Sequence, residues 1–305
     1  MSAAADISVA VATMDRPAGL ARCLDALLAG QRLPAEIIVV DQGRAGLGRS
    51  VVTERQIAGT PPVYLPQERR GLSASRNLGV AHARCPVVAV TDDDCVPDVM
   101  WVAEIERAFA QPGAPDALTG RILPLGPETP GTYVVSPRES TIRADFFGKA
   151  VPWLVGSGGN FAVKRDWFTR LGGCDERLGT GSRGQSAEDM DLFYRLLRAG
   201  AHLRYEPDVV VYHERQDKAR RLASRWTYGY GIGAFCGLWL RRGDLYASYI
   251  LGRWLLDHLR VTTGALINRE WLQARQRMLS LSGTLRGLMY GLRVLRCPGA
   301  AGAGK

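Results

Sequence analysis

The run VVAVTDDDCVPD at residues 87–98 constrains the fold of this chain more than any other stretch. Val87, Val88 and Val90 make a short β-branched segment of the kind that fills a buried strand, and three consecutive carboxylates, Asp92, Asp93 and Asp94, end it. Pro97 has no N–H for a ladder and blocks continuation as a central strand. A buried strand therefore delivers acid at its carboxyl end. Neighbouring carboxylates repel, and such a cluster is usually kept where a cation or a hydrogen-bonding ligand offsets the repulsion. Two readings stand: a divalent-metal site holding phosphate oxygens, or a solvated acidic turn that caps the next helix.

The same pattern recurs along the chain. Residues 7–13 (ISVAVAT) and 36–41 (EIIVVD) read as strands, the second again ending in a carboxylate, with short strands expected over 63–65 and 117–122. Helices are expected over 18–29, with Leu20, Leu24, Leu27 and Leu28 on one face, and over 50–58, 72–83 and 99–110. Strands alternating with helices of about ten residues predict an α/β protein, a mostly parallel, doubly wound sheet covered on both faces. Ligands of such sheets sit beyond the carboxyl ends of the strands, where Asp15, Asp41 and the Asp92 cluster all fall. Neither GxGxxG nor GxxxxGK[ST] follows the first strand, so any nucleotide is held by another device.

Residues 123–137 form a proline-rich loop, either a lid or an ordinary connection. Gly156, Gly158 and Gly159 precede a strand at 160–164; they suit a close approach of backbone to ligand, and equally a tight bend. A short helix over 166–171 closes at Gly172 and Gly173. In SAEDMDLFYRLLRAG, Ser186 and Asp189 fit a capping box loosely, Leu192, Phe193, Leu196 and Leu197 face the core, and Gly200 ends the helix. Acid in a first turn complements the helix dipole, so Glu188, Asp189 and Asp191 have a structural reading that stands beside a chemical one. Strands follow over 203–205 and 209–213. His213 ends the second as the aspartates end theirs; a lone histidine is more often a satisfied residue than a ligand, but this setting favours chemistry. His82, His202 and His258 lack that setting.

At 305 residues and 46% hydrophobic, the chain can bury a large core. Its net charge of +9 is unevenly placed: residues 215–305 carry 16 basic against 4 acidic side chains, leaving 23 against 26 for residues 1–214. The two parts face different surroundings. Cys23, Cys85, Cys95, Cys174, Cys236 and Cys297 show no CxxC pair and read as free thiols in a reducing compartment. Met1 leads straight into a strand pattern, so no cleaved secretory signal is expected.

The order of motifs resembles the family 2 glycosyltransferases, which have the GT-A fold. The matching stretches are ISVAVATMDRPAGLARCLDALL, EIIVVDQG, GLSASRNLGVAHA, VVAVTDDDCVPD, GSGGNFAVKRDWFTRLGGCDERLG and AEDMDLFYRLLRAGAHLRYEPDVVVYHE, collinear over roughly residues 5–214. The resemblance implies that Thr13 and Asp15 line a nucleotide pocket, that Asp41 holds the base, and that Arg76 contacts the nucleotide or its diphosphate. Asp92 and Asp94 match the DXD motif, with Asp94 a metal ligand and Asp92 nearer the ribose; Asp93 is grouped with the donor-binding residues. His213 matches a histidine that completes the metal site. Glu188 and Asp189 match the ED pair, in which the aspartate is the catalytic base. Gln42 and Gly43 stand where a second acid followed by Gly and Ser is usual, which leaves the base open, with a UDP-sugar favoured.

Chemistry supports the same expectation. Loss of a diphosphate is eased by a cation on the leaving oxygens; aspartates suit Mg²⁺ or Mn²⁺, and an imidazole tips the choice towards Mn²⁺. One base with in-line attack inverts the anomeric centre, and no motif proposes a carboxylate nucleophile for retention. Gly158 and Gly159 would let the backbone pass close to the sugar. The expected acceptor is a glycan or a lipid-linked molecule.

The division expected is a transferase domain over 1–214 and a basic, aromatic-rich helical extension over 215–305. Its longest uncharged apolar stretch, 226–240, falls short of the roughly 20 residues that span a bilayer. Apolar faces bordered by arginine and tryptophan suit helices lying on an anionic leaflet, which predicts a cytoplasmic protein peripheral on the inner membrane face; packing on the catalytic domain or on a second subunit is the other reading, and the oligomeric state stays open. Two further functions compete: a basic nucleic-acid-binding protein, though no helix-turn-helix, RNP or zinc-finger pattern is present, and a GT-A-like nucleotidyltransferase, whose Gly-rich opening is missing.

Overall fold

The computed structural model describes residues 5–44, 47–56 and 60–293. In chain order the elements are β1 (Ala5–Thr13), α1 (Pro17–Leu28), β2 (Pro34–Asp41), α2 (Leu47–Thr53), β3 (Val63–Pro66), α3 (Leu72–His82), β4 (Val87–Asp92), β5 (Cys95–Pro97), α4 (Trp101–Ala110), β6 (Ala117–Pro124), β7 (Thr132–Tyr133) and β8 (Ala144–Phe146). There follow α5 (Pro152–Val155), β9 (Asn160–Lys164), α6 (Arg165–Arg170), α7 (Glu188–Arg198), β10 (Leu203–His213), β11 (Gln216–Asp217), α8 (Lys218–Arg241), α9 (Tyr246–Ile267) and α10 (Trp271–Arg293).

The chain divides into two compact units, Met1–Arg183 with Glu188–Arg221, and Gly184–Ala187 with Leu222–Lys305. The first holds one sheet in the order β3-β2-β1-β4-β9-β6-β10-β5, with β8 also on β10. β1 to β4, β6 and β10 run one way, while β5, β8 and β9 run against them. The sheet is thus mostly parallel in strand direction, with helices on both faces. Alternate strand residues feed opposite layers, as the pleat requires. Val9, Val11 and Ala89 pack with Leu20, Leu24 and Trp101 on one side. Ala10, Val88 and Val90 pack with Leu192, Phe193 and Leu196 on the other.

β1 sits where the strand order turns back: β2 and β3 lie on one side of it and β4 on the other. Such a switch point opens a crevice at the carboxyl ends of the strands. The register puts Thr13 opposite Asp41 and Ala12 opposite Asp92, so these ends line one edge. Pro97 lies in β5, the edge strand, where its missing N–H is tolerated. β9, inserted antiparallel between β4 and β6, is pinned by Asn160. Its amide donates to the carbonyls of Arg121 and Val209 and its oxygen accepts from the Trp101 indole.

Some local expectations are corrected. The helix expected over 50–58 runs over Leu47–Thr53, with 54–56 in a turn and 57–59 outside the described residues. The expected strands over 203–205 and 209–213 are one strand, β10, with an irregularity between Glu206 and Val210. There is no capping box at Ser186, whose hydroxyl donates to the Thr227 carbonyl within the second unit. Cys23, Cys85, Cys95, Cys174 and Cys236 are free and buried; Cys297 lies outside the described residues.

In the second unit, Gly229, Gly233 and Gly237 of α8 face Gly283, Gly287 and Gly291 of α10. A Cβ on any of them would strike backbone of the opposite helix, so the two helices meet at backbone distance. This accounts for the glycines in the apolar run over 226–240. No helix among the described residues is long and apolar enough to cross a membrane.

Candidate active site

The acid cluster after β4 is not a helix cap. α4 begins at Trp101, seven residues past Asp94 in number, and the Met100 N–H there is met by Asp98. Each of the three aspartates has its own surroundings. Asp92 accepts from Arg76 Nη2 at 2.9 Å. Asp93 accepts from the Thr13 hydroxyl at 2.8 Å and from Arg16 at 3.2 Å. Asp94 accepts from Arg16 at 2.5 Å through Oδ2, while its Oδ1 stands 3.5 Å from His213 Nε2. Burial and then the Asp94 charge push Asp93 up to about 6. Burial also works to raise Asp94, but His213 and Arg16 outweigh it and hold that carboxyl below the usual range.

β5 pairs antiparallel with β10, Cys95 opposite His213, and this brings the histidine to the aspartate. His213 Nδ1 lies 2.8 Å from the Glu214 carbonyl, so in the neutral ring Nδ1 carries the proton and the Nε2 lone pair faces Asp94 Oδ1. Two lone-pair atoms held that close fit a cation between them. Asp94, Cys95 and His213 offer ligand atoms within 4.8 Å of one another. Burial, then Asp92, push the Cys95 thiol well above its ordinary value, and Cys95 is fully buried, whereas the carboxylate and imidazole are the hard and borderline donors of the group. That donor set suits Mn²⁺ or Mg²⁺.

Arg76 of α3 ties the acids together from beneath. Nη1 donates to Glu188 at 2.8 Å, and Nη2 to Asp92 and to the Gly158 carbonyl, both at 2.9 Å. Burial disfavours its charge, but Asp92 and Glu188 more than offset this and raise its pKa. Its side chain is 2% exposed and lies against Asp92. Glu188 in turn is pushed up to about 7 by burial and then by Asp189. Asp189, next along α7, is fixed by amides: Oδ2 accepts from Gly158 N–H at 2.6 Å and Oδ1 from Met190 N–H at 2.8 Å.

The glycines of this loop approach protein side chains. A Cβ on Gly158 would lie 2.8 and 2.9 Å from the Arg76 terminal nitrogens, and one on Gly159 3.2 Å from Asp92 Oδ2. On the far side of β1, Asp41 is buried and accepts from Gly43 N–H at 2.8 Å and Tyr64 OH at 3.0 Å. Asp15 adopts a positive φ of 55° and accepts from Arg44 N–H at 2.8 Å.

The predicted residues thus form two linked groups: Thr13, Asp93, Asp94 and His213, and Arg76, Asp92, Gly158, Glu188 and Asp189. Asp92 to Asp94 join the two, and Asp15 and Asp41 adjoin at the β1 and β2 ends. Sequence reasoning missed Arg16, Cys95, Tyr64 and Arg138. Arg138 donates to the carbonyls of Trp153 and Gly156, and burial lowers its pKa against the pull of Asp189. Arg16 left a signal: it is the N-cap residue of α1, where a cation opposes the helix dipole.

A mostly parallel sheet whose acids gather at the β1/β4 switch point defines a GT-A type fold. A sequence model of glycosyl transferase family 2 matches residues 8–172, more than half of the chain. The chain belongs to glycosyl transferase family 2. It is 28% identical over 273 residues to a pre-mycofactocin glycosyltransferase of Mycobacterium tuberculosis, covering 86% of this chain and 54% of that protein. It is 25% identical over 228 residues to a glucosyl-dolichyl phosphate glucuronosyltransferase of Haloferax volcanii, covering 68% and 69%. In fold it is similar to the mannosyltransferase PcManGT of Pyrobaculum calidifontis, solved with GDP-Man and Mn²⁺. The TM-score is 0.61 at 17% identity, over 93% of this chain and 88% of that one. The chain spans about half the length of the Mycobacterium relative.

Proposed function

We propose that this protein transfers a sugar from a nucleotide-sugar donor, a UDP-sugar in the first instance, to a glycan or lipid-linked acceptor, with inversion and with a divalent metal. The observation that carries the reading is the Asp94–His213 pair at 3.5 Å, with the imidazole oriented by the Glu214 carbonyl. Asp94 and His213 would hold Mn²⁺ or Mg²⁺. Such an ion supplies positive charge against the diphosphate as it leaves.

The chain's own groups do the rest. Thr13, Asp15 and Asp41 line the nucleotide side of the crevice, with Asp93 braced by Thr13. Asp92 meets the donor from its place on Arg76. Asp189 is the base that takes the acceptor hydroxyl proton; its two amide bonds fix the carboxylate so that little reorganisation is needed at attack. Glu188, pushed up and bound to Arg76, positions Asp189 and the Gly158–Gly159 backbone beside the sugar. One base without a second carboxylate nucleophile gives an inverted product.

Residues 1–214 carry this chemistry, and the basic extension from 215 docks the protein on the anionic inner leaflet. Exposed Leu256, Leu259 and Leu266 on α9 and Trp271, Met278 and Leu285 on α10 support that reading, with Arg253, Arg260, Arg275 and Arg286 exposed on the same helices. A thermal-shift panel of UDP-, GDP-, dTDP- and CDP-sugars with and without Mn²⁺ tests the donor reading, because a ligand that binds only the native state raises its melting temperature. A rise for one nucleotide that needs Mn²⁺ supports it. No shift with any of them sinks it.

A further inference from the structure

Three carboxylates in sequence need a counter-charge even when nothing is bound, and the chain supplies one. Arg16, in the turn between β1 and α1, puts Nη1 2.5 Å from Asp94 Oδ2 and 3.2 Å from Asp93 Oδ1. The Asp94 carboxylate is therefore divided: Oδ1 looks to His213, and Oδ2 to Arg16.

Helix formation does not explain this arginine. It stands at the N-cap of α1, makes no capping side-chain bond there, and opposes the dipole. Its backbone is held close to the cluster, because Gly19 in the first turn of α1 packs on the Asp93 carbonyl, where a Cβ would come within 2.7 Å. The side chain is by contrast easily moved. It is 41% exposed and, among the described residues, bonded only through Nη1 to these two aspartates. Arg76 is the opposite case, 2% exposed and clamped by three bonds. The two arginines touch the same acid run, one as a fixed brace and one as a loose cation.

We propose that Arg16 is a resident counter-cation of the Asp93–Asp94 pair, held at Asp94 Oδ2, against which a divalent metal between Asp94 Oδ1 and His213 Nε2 must bind. This rests on the metal reading of Asp94 and His213 given above. A dication on Asp94 repels the guanidinium beside it, so metal binding and the Arg16–Asp94 ion pair oppose each other, and by reciprocity each weakens the other by the same factor. Arg16 thereby sets the metal affinity of the nucleotide-free protein without being a ligand itself.

The test is a Mn²⁺ titration of the full chain without nucleotide, reading free Mn²⁺ by electron paramagnetic resonance, on wild type, R16A, R16K and D94A. R16A is expected to bind Mn²⁺ at least about fivefold more tightly than wild type, the lower end of ordinary coupling between sites. R16K, which keeps the charge, should stay near wild type, and D94A should lose the site. An R16A affinity equal to or weaker than that of a wild type whose binding depends on Asp94 overturns the inference and leaves the metal reading standing. Absence of Asp94-dependent Mn²⁺ binding in both wild type and R16A overturns the two together.

Discussion

The backbone N–H of Gly158 donates to Asp189 Oδ2 at 2.6 Å, tying the loop that enters β9 to the first turn of α7. The proposed base is thus oriented by a peptide from another strand connection. The next peptide is held by Arg76, whose Nη2 donates to the Gly158 carbonyl.

Gly158→Ala should disturb this contact, since the added methyl would meet the Arg76 nitrogens at 2.8 and 2.9 Å and Asp189 Cβ at 3.0 Å. Overpacking of this kind costs about 1–3 kcal/mol. We expect a lower urea midpoint and, because Asp189 moves, sugar transfer reduced at least about tenfold. A variant with wild-type stability and rate would show that the loop has room the structure does not give it.

Arg76→Ala leaves buried Glu188 and half-buried Asp92 without their cation. Removing one partner of a buried pair costs about 3–5 kcal/mol. The double variant Arg76→Met with Glu188→Gln should recover much of the loss, because the uncompensated charge goes with the arginine. Urea unfolding of the set decides it, and equal instability of single and double variants would count against the bracing role.

The pH dependence of stability has a definite sign. Asp93 and Glu188 titrate at about 6 and about 7 when folded, raised from ordinary values of 3.8 and 4.5 by burial first and by neighbouring acids second. These two groups therefore hold more protons folded than unfolded between about pH 4 and 7, and their contribution to stability falls as pH rises through that window; His258, pushed down to about 4 by burial and then by Arg277, acts the other way between about 4 and 6.5. Each group contributes a slope of at most about 1.4 kcal/mol per pH unit. Above about pH 6.5, where the His258 contribution fades, melting temperatures measured in EDTA up to pH 8 should decline, and Glu188→Gln should flatten that part of the curve. A rising curve over that range would contradict the assignment.

Asp94→Ala and Asp189→Asn separate binding from chemistry. The first should abolish the Mn²⁺-dependent thermal shift with donor. The second should keep that shift and lower transfer by about 10²–10⁴, the usual contribution of a positioned base. Calorimetry of donor binding beside initial rates checks both, and loss of donor binding in Asp189→Asn would move that residue into the donor site.

Gly287→Ala tests the helical unit. Its methyl would strike the Tyr230 carbonyl of α8, a backbone atom that cannot turn aside. We expect a loss of at least about 1 kcal/mol, with faster hydrogen exchange in α8 and α10 and unchanged exchange in β1 and β4.

Much of the fold was legible in the sequence because strand and helix periods are local. The apolar runs ending in Asp41 and Asp92, the leucines of α1 and the closing glycines of α6 and α7 follow from neighbours within a few residues. The Asp92–Asp94 cluster and the adjacent Glu188 and Asp189 were visible for the same reason: like residues lie together in the chain.

Tertiary structure alone decided how those acids are held. Arg76 reaches Glu188 across 112 positions and Gly158 across 82, and Thr13 reaches Asp93 across 80. No local period records such separations. The antiparallel insertion of β9 and the pairing of β5 with β10, which bring Gly158 to Asp189 and His213 to Asp94, depend on register between distant strands. Sequence fixes which charges exist and at which strand ends. Burial and register decide which of them meet, because the energy of a charge depends on what lies within a few ångströms of it, and only the folded chain sets that.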